Sequence, residues 1–518
     1  MTFALIDPNS LPNDIELLKE LVCEVMRRAN TAAADARHSI ERLELQLVAL
    51  RRTVFGISSE RLAGQADLFV DTQSLPVPPE HKQRVSYWRR RTGRPQLPAD
   101  LPRSRIEYDL SCAEKAQFAH VTPIGEQVSQ TLEFTPAKLT VIEHARLKYR
   151  CERADGTRTI CTASAYPSPL AKSNAGPGLL AHVLVSKYAD GMPLARQERM
   201  FARHGLRLSR QTLCDWVLRA CELLGSLSAP LRAHVLGAPV IFADDTTLPM
   251  VSDALRGKTV TARLWAYLSA GHSRDEHGAW QPYAQAVFYE FTQNRAGEHP
   301  RRFLAGYRGY LQADDYAGYH ALYRSRRVLH AACWAHARRG FFEIDRSAHT
   351  PGLARQALAW IGKLYEIERE VRDHPPDRKA AERGQRSRPL LIDFKRWLLG
   401  IEPDLLPQGA MAKAVRYVLS NWRALVRFSR TGILAIDSNL VERGMRPIAV
   451  GRKAWLYAGA PRGGHAAATA FSLIETCKLN GVEPYAYLKD VLARIGSHRC
   501  DRLAQLLPFN WRPQTAIG

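Results

Sequence analysis

At 518 residues the chain exceeds what one hydrophobic core organises, so about three domains are expected, and 46% hydrophobic with 24% charged residues is a globular composition. No apolar run approaches the ~20 residues a bilayer span needs, so the composition excludes a helical membrane protein. A formal charge of +22, from 73 Lys and Arg against 51 Asp and Glu, points to a polyanionic partner, and Arg is the better fork for phosphate, although charge alone fits a merely soluble basic protein equally well.

The N-terminus, MTFALIDPNSLPND, lacks a basic region followed by an apolar stretch, and the nine cysteines are scattered without a CxxC pair. Both features fit a cytoplasmic protein with reduced thiols. Residues 1–62 hold the first unit. Asn13 or Asp14 can cap a helix, and from Val22 and Met26 to Leu50 and Val54 apolar residues recur at alternating steps of four and three. That narrow, long seam favours a coiled coil over a single packed amphipathic helix, and predicts a homo-oligomer. Residues 63–105, punctuated by prolines and carrying Arg89, Arg90 and Arg91, read as an extended basic linker.

Residues 106–170 read as a small β-rich domain, with Asp155-Gly156 as a turn before a return strand at Arg158–Ala163. Cys112, Cys151 and Cys161 fall here, too isolated to predict zinc from spacing. Residues 175–225 read as helices. Leu194–His204 ends at Gly205, and Ser209 caps the next helix, which opens with Arg210 and Gln211. This pattern fits a helix-turn-helix and an ordinary three-helix packing equally well; in the first case Arg210 and Gln211 meet DNA.

From residue 236 strand-like runs appear at Pro239–Ala243, Ala262–Ser269, Ala284–Phe291 and Gly309–Ala313, and helical periods follow at 352–372 and 390–428. His374–Arg388, rich in Pro and Arg, reads as a mobile basic loop. Two acidic pairs, Asp244-Asp245 and Asp314-Asp315, close apolar runs, and Glu442 opens a helical segment followed by Arg443, Arg446, Arg452 and Lys453. On a strand, neighbours face opposite ways, so one acid of each pair can join a shared site. Any one pair alone is more simply a cap or a solvated turn. Together with a distant helical carboxylate they suit a pair of hard cations, which take oxygen ligands and can clamp a phosphodiester. Arg446, one turn beyond Glu442, is either an ion-pair partner of it or a DNA contact. Cys333 and His336 could share a helix face. Packing, or a phosphate contact by His336, is the stronger expectation there than metal ligation.

The segments ADDTTLP, LQADDYAGY, CWAHARRGFFE and DSNLVERGMRPIAVGRKAWLYAG closely resemble the transposases of the insertion-sequence-66 family of bacterial mobile elements. FGISSERL, KYADGMPLARQERMFARHGLRLSRQTLCDWV, NGVEPYAYLKDVL and LLPFNW extend the resemblance over nearly the whole chain, in the family's order. It implies a multidomain α/β protein whose catalytic domain, at 236–470, is RNase H-like with an α-helical insertion at about 346–430. Ahead of it stand the coiled coil, the small β-rich domain and the helix-turn-helix, and a C-terminal segment follows at 471–518. It implies a DDE triad of Asp244, Asp314 and Glu442 holding two Mg²⁺, for which Mn²⁺ can substitute. The implied activity is cleavage at the terminal inverted repeats of an insertion sequence and strand transfer into target DNA. Arg446, Arg452 and Lys453 are expected DNA contacts beside Arg210 and Gln211. Double-stranded DNA and a second copy of the chain are the expected partners, with accessory proteins of the same element as further candidates.

Two positions depart from the family. Asp245 stands where Glu is usual, which should cost little. The small β-rich domain lacks the family's closely spaced cysteines, with Ala154 where a partner of Cys151 would stand, which puts zinc there in doubt. The alternative reading is a decayed or regulatory homologue that binds DNA without cutting. The missing cysteines favour it and the intact acidic triad argues against it. A general Mg²⁺ nuclease would lack a use for the coiled coil and the helix-turn-helix.

Overall fold

The computed structural model describes residues 168–252, 258–348 and 352–513, the backbone of 148–152 and 158–162, and scattered positions between 14 and 26. The expected heptad seam lies almost wholly outside the described residues, as do the linker and most of the small β-rich stretch. Of the last, strands β1 (Lys148–Glu152) and β2 (Arg158–Thr162) are described. They pair antiparallel with Glu152 opposite Arg158, and the expected Asp155-Gly156 turn falls between them, outside the described residues.

Four helices follow. α1 (Pro177–Tyr188) starts on a proline, where the missing N–H costs nothing, and buries Leu180, Val183, Leu184 and Tyr188. α2 (Leu194–Arg203) stops where Gly205 takes φ +78, a left-handed conformation that glycine adopts without strain. α3 (Arg210–Leu224) is capped as its sequence predicts, Ser209 Oγ accepting from the Thr212 N–H at 3.1 Å. α4 (Ser228–Leu236) leads into the sheet.

The sheet has five strands, β3 (Val240–Ser252), β4 (Lys258–Ala270), β7 (Ala286–Thr292), β8 (Gly309–Gln312) and β9 (Val328–Ala331); β5 (His272–Arg274) and β6 (Trp280–Pro282) form a side ribbon. The order is β7-β4-β3-β8-β9. β7, β4 and β3 are antiparallel, whereas β8 and β9 run parallel to β3. Both faces are covered, because consecutive residues Val240 to Ala243 and Leu264 to Leu268 are all buried. β3 and β4 run further than their apolar stretches suggest: β4 pairs Asp244 through Ser252 residue by residue, so the ladder carries the polar half of β3. The edge of β7 is not left open. Ser472 and Thr476 hydroxyls accept from the backbone N–H groups of Tyr289 and Val287 at 2.8 and 3.1 Å.

Beyond β9 come α5 (Trp334–Ser347), α6 (Leu353–Glu370), α7 (Arg388–Ile401) and α8 (Ala410–Ser420), then α9 (Asn439–Trp455), α10 (Pro461–Leu479) and α11 (Pro484–Arg494). The expected mobile loop at 374–388 is instead ordered helix. Pro376–Glu382 is α-helical and passes through a π turn at Arg383–Ser387 into α7. Pro389 explains the π turn, since it lacks an N–H and its ring clashes with the carbonyl four residues back. Arg383 explains why a basic segment folds. Its side chain is 2% exposed, pairs with Glu368 through two nitrogens, and donates to the Phe428 and Thr431 carbonyls at 3.1 and 2.6 Å. Among the described residues no helix is long and apolar enough to cross a membrane.

Candidate active site

Strand alternation sorts the first acidic pair. Asp244 lies opposite Ala266, which lies opposite Tyr289, and directly paired antiparallel residues share a face. The Tyr289 hydroxyl donates to the Gly444 carbonyl at 2.6 Å, so this face looks onto α9. Asp245 and its neighbour Trp265 occupy the other face, where the Trp265 ring lies 5.8 Å from that of Tyr316. Asp244 therefore faces Glu442's helix, and Asp245 does not.

Parallel register brings in the second acid. Val240, Ile241 and Phe242 lie opposite Tyr310, Leu311 and Gln312, Asp314 follows two residues after β8 ends, and its charge acts on Asp244. The third comes from the first turn of α9, where a carboxylate also suits the positive end of the helix dipole. Gln312, fully buried at the tip of β8, fixes the approach to that helix by donating to the carbonyls of Ala435 and Asp437 at 2.8 and 3.2 Å.

The electrostatics report this convergence. Burial pushes the Asp244 carboxyl up to about 7, and the charges of Asp314, Glu442 and Asp245 add to it against one hydrogen bond from the Asp245 N–H. Burial also raises Asp314, opposed by the positive charges of His336 and Arg295 and by the Tyr316 N–H. His336 stands within the site: its Nδ1 is 3.9 Å from Glu442 Oε1, and both atoms are buried without a hydrogen-bond partner among the described residues.

These buried, unsatisfied polar atoms, beside two carboxyls raised chiefly by burial, fit a bound cation that would satisfy them. Hard divalent ions match the oxygen donors of Asp244, Asp314 and Glu442. The Cys333, His336 and Glu442 ligand atoms also lie within 4.8 Å of one another. Cys333 is the poorest donor of that trio. Its thiol is pushed up to about 12 by burial, and its Sγ already accepts from the Ser438 N–H at 3.2 Å. This buried contact matches the packing role expected for Cys333, and it helps seat the segment that enters α9.

A family model described as "Transposase IS66 family" matches residues 172–466, which hold all three acids, their sheet and the intervening helices. The chain belongs to the IS66 family of transposases. Three further family models match: the "IS66 C-terminal element" at 472–509, the "zinc-finger binding domain of transposase IS66" at 111–153, and "Transposase C of IS166 homeodomain" at 42–106. Relatives in Sinorhizobium fredii include the uncharacterized proteins y4hP, 33% identical over 92% of this chain and 89% of its own length, and y4jD, 32% identical over 97% of each. A third, the uncharacterized protein y4qI, is 32% identical over 98% of this chain and 99% of its own. The DNA-binding domain types in this IS66 architecture point to DNA as partner, and its DDE class implies dependence on a divalent metal.

Against this family background the remaining expected site residues divide. Arg446 and Lys453 are exposed on α9, and among the described residues Arg446 makes no ion pair with Glu442, leaving it available to a ligand. Arg452 is half-buried and already engaged: its Nη1 donates to Thr246 Oγ1 at 3.1 Å and to the Thr247 carbonyl and hydroxyl at 2.6 Å each. It fastens α9 to β3 just beyond Asp244. Arg210 and Gln211 are exposed at the start of α3.

Sequence reasoning weighed His336 for packing or a phosphate contact, and the fold places it beside Glu442. It did not assign two further residues, Arg295 near the acids and Tyr365 against the segment that precedes Glu442. Arg295 and Tyr365 arrive from a loop and a distant helix, and nothing in their local sequence marks them. Asp245, in the place of the family's Glu, is held by two ion pairs, Oδ2 to Arg263 at 2.9 Å and Oδ1 to Arg295 at 2.8 Å.

Proposed function

We propose that this IS66 protein is an active DDE transposase, with Asp244, Asp314 and Glu442 holding two Mg²⁺ in an RNase H-like catalytic domain. The observation that carries the reading is the convergence of three carboxylates from β3, the end of β8 and the first turn of α9 on one face. The order β7-β4-β3-β8-β9, three antiparallel strands followed by two parallel ones, supports the RNase H-like assignment.

The two cations would supply neutralisation of the attacking and leaving oxygens of a phosphodiester, in an in-line displacement. The chain's own work is positional. Asp244 stands within the paired ladder of β3, Asp314 follows two residues after β8, and Glu442 is set by the anchored entry to α9, so the oxygen donors are preorganised. Burial favours the neutral form of the Asp244 carboxyl, and a bound cation would favour the ionised form that serves as its ligand. Water is the nucleophile for cleavage at the terminal inverted repeat, and the freed 3′-hydroxyl is the nucleophile for transfer into target DNA. Arg446 and Lys453 extend a basic surface from the site for the phosphate backbone. Arg210 and Gln211 would meet DNA as the first residues of a recognition helix, a reading supported by their exposure at the start of a Ser-capped helix. The coiled coil would pair two copies for the two ends of the element.

Replacing Asp244 with Asn tests the assignment. Cleavage should be lost while binding to the repeat stays within a few-fold of the native protein. A mutant that still cuts would exclude Asp244 from the site.

A further inference from the structure

Arg295 has no place in the acidic constellation itself, yet the structure immobilises it against Asp245 and Tyr316, two residues beyond Asp314. Its Nε donates to Asp245 Oδ1 at 3.0 Å, and its Nη2 forms an ion pair with the same oxygen at 2.8 Å. Its guanidinium lies 4.4 Å from the centroid of the Tyr316 ring, two residues beyond Asp314. The Tyr316 hydroxyl in turn donates to the Arg295 carbonyl. Gly297 and Gly318 bring the two loops into backbone contact, because a Cβ on Gly297 would come within 2.8 Å of the Gly318 Cα. The base of the loop is also held: Trp265 Nε1 donates to Thr292 Oγ1 at 2.9 Å, that hydroxyl donates to the Asn294 carbonyl at 2.8 Å, and Asn294 Oδ1 accepts from the Ala296 N–H at 2.9 Å.

Neutralising Asp245 does not require this apparatus, since Arg263 already pairs with its other oxygen. Arg295 remains 40% exposed at its side chain, and among the described residues its Nη1 has no hydrogen-bond partner. Its charge reaches Asp314. A guanidinium aligned by a carboxylate, stacked on an aromatic ring and left with free donors is a preorganised phosphate fork.

We propose that Arg295 binds the phosphodiester presented to Asp244 and Asp314, and that Asp245 and Tyr316 are the positioning residues that aim it. The proposal rests on the transposase reading above. It assigns to Asp245 a purpose outside the metal-holding set, on the opposite face of the strand from Asp244.

The test is a binding cycle on the full-length protein without divalent metal. One duplex carries the terminal repeat with ordinary phosphates, and a second carries one neutral methylphosphonate at the cleaved position. Native protein should bind the neutral duplex about tenfold more weakly, as expected for loss of a charge-assisted hydrogen bond. Arg295→Gln should bind the ordinary duplex about tenfold more weakly and show no further loss on the neutral one. Arg263→Gln should keep the native difference. If Arg295→Gln lies too close to unfolding to assay, Arg295→Lys keeps a charge beside Asp245 and should recover only part of the discrimination. A full native difference in Arg295→Gln, or none in the native protein, overturns the proposal. Failure of the underlying reading shows elsewhere, as metal-dependent cutting that Asp314→Asn leaves intact.

Discussion

The hydroxyl of Tyr365, on α6, donates to the buried carboxylate of Asp437 at 3.0 Å, five residues before Glu442. Burial raises the Asp437 carboxyl, which also accepts from the Asn439 backbone and side chain. The helices between Asp314 and Glu442 thus reach back into the segment that seats the third acid. Tyr365→Phe should destabilise the protein by about 1 kcal/mol, the usual cost of one buried hydrogen bond. It should slow single-turnover cleavage more than it weakens DNA binding. Urea unfolding and quenched-flow cleavage check the two halves, and an unchanged cleavage rate would remove Tyr365 from any role in placing Glu442.

The acid cluster makes metal-free stability depend on pH in a defined direction. Asp244 ordinarily titrates near 3.8 and here is raised to about 7, so between those values the folded state binds more protons than the unfolded state. That contribution to stability is complete below the lower value and disappears as pH rises through the upper one. Asp314 and Asp437 shift the same way. Without divalent cations the protein should therefore be less stable at pH 8 than at pH 5 in urea titrations, and Mg²⁺ should recover stability at pH 8 by binding the folded state. Asp244→Asn should narrow the gap between the two pH values; an unaltered gap would mean that Asp244 does not carry the raised titration.

Arg383 is a buried cation whose partners are fixed. Removing it by Arg383→Ala leaves Glu368 without compensation and should cost about 3–5 kcal/mol. Circular dichroism melting of the variant against native protein checks this. A cost below about 1 kcal/mol would fit a solvated surface pair instead.

Arg452 and Lys453 are neighbours with different work. Arg452→Ala should destabilise the protein by about 1–3 kcal/mol, because Thr246 and Thr247 lose their shared donor. Lys453→Ala should leave melting unchanged and lower the slope of log affinity against log salt by about 0.9, as loss of one phosphate contact would. Filter binding across a salt series separates the two. An unchanged slope in Lys453→Ala would move that residue off the DNA path.

What could be read from sequence followed the strength of local signals. The Ser209 cap and the Gly205 stop are single-residue chemistry, and both stand where expected. The four strand runs were legible from apolar periodicity, but the polar half of β3 was not, because cross-strand pairing and not its own pattern extends it. Alternation allowed one acid of each pair on a shared face, and the pairing of Asp244 with Ala266, itself paired with Tyr289, gives the face that Asp244 takes. The segment at 374–388 misled because its Arg and Pro content matches a solvated loop, whereas Arg383 buries itself through a distant Glu368. Arg295 carried no local signal at all, since its importance arises from a loop folding against the turn after Asp314. IS66 membership was legible in whole segments.

The most direct measurement is Mg²⁺-dependent cleavage of a labelled duplex carrying the element's terminal repeat, native protein beside Asp314→Asn. Nicking at the repeat boundary that requires the metal and vanishes in the variant is the predicted result. Equal nicking by both proteins, or binding by native protein with no cutting under any divalent metal, would contradict the account of Asp244, Asp314 and Glu442 as a working site.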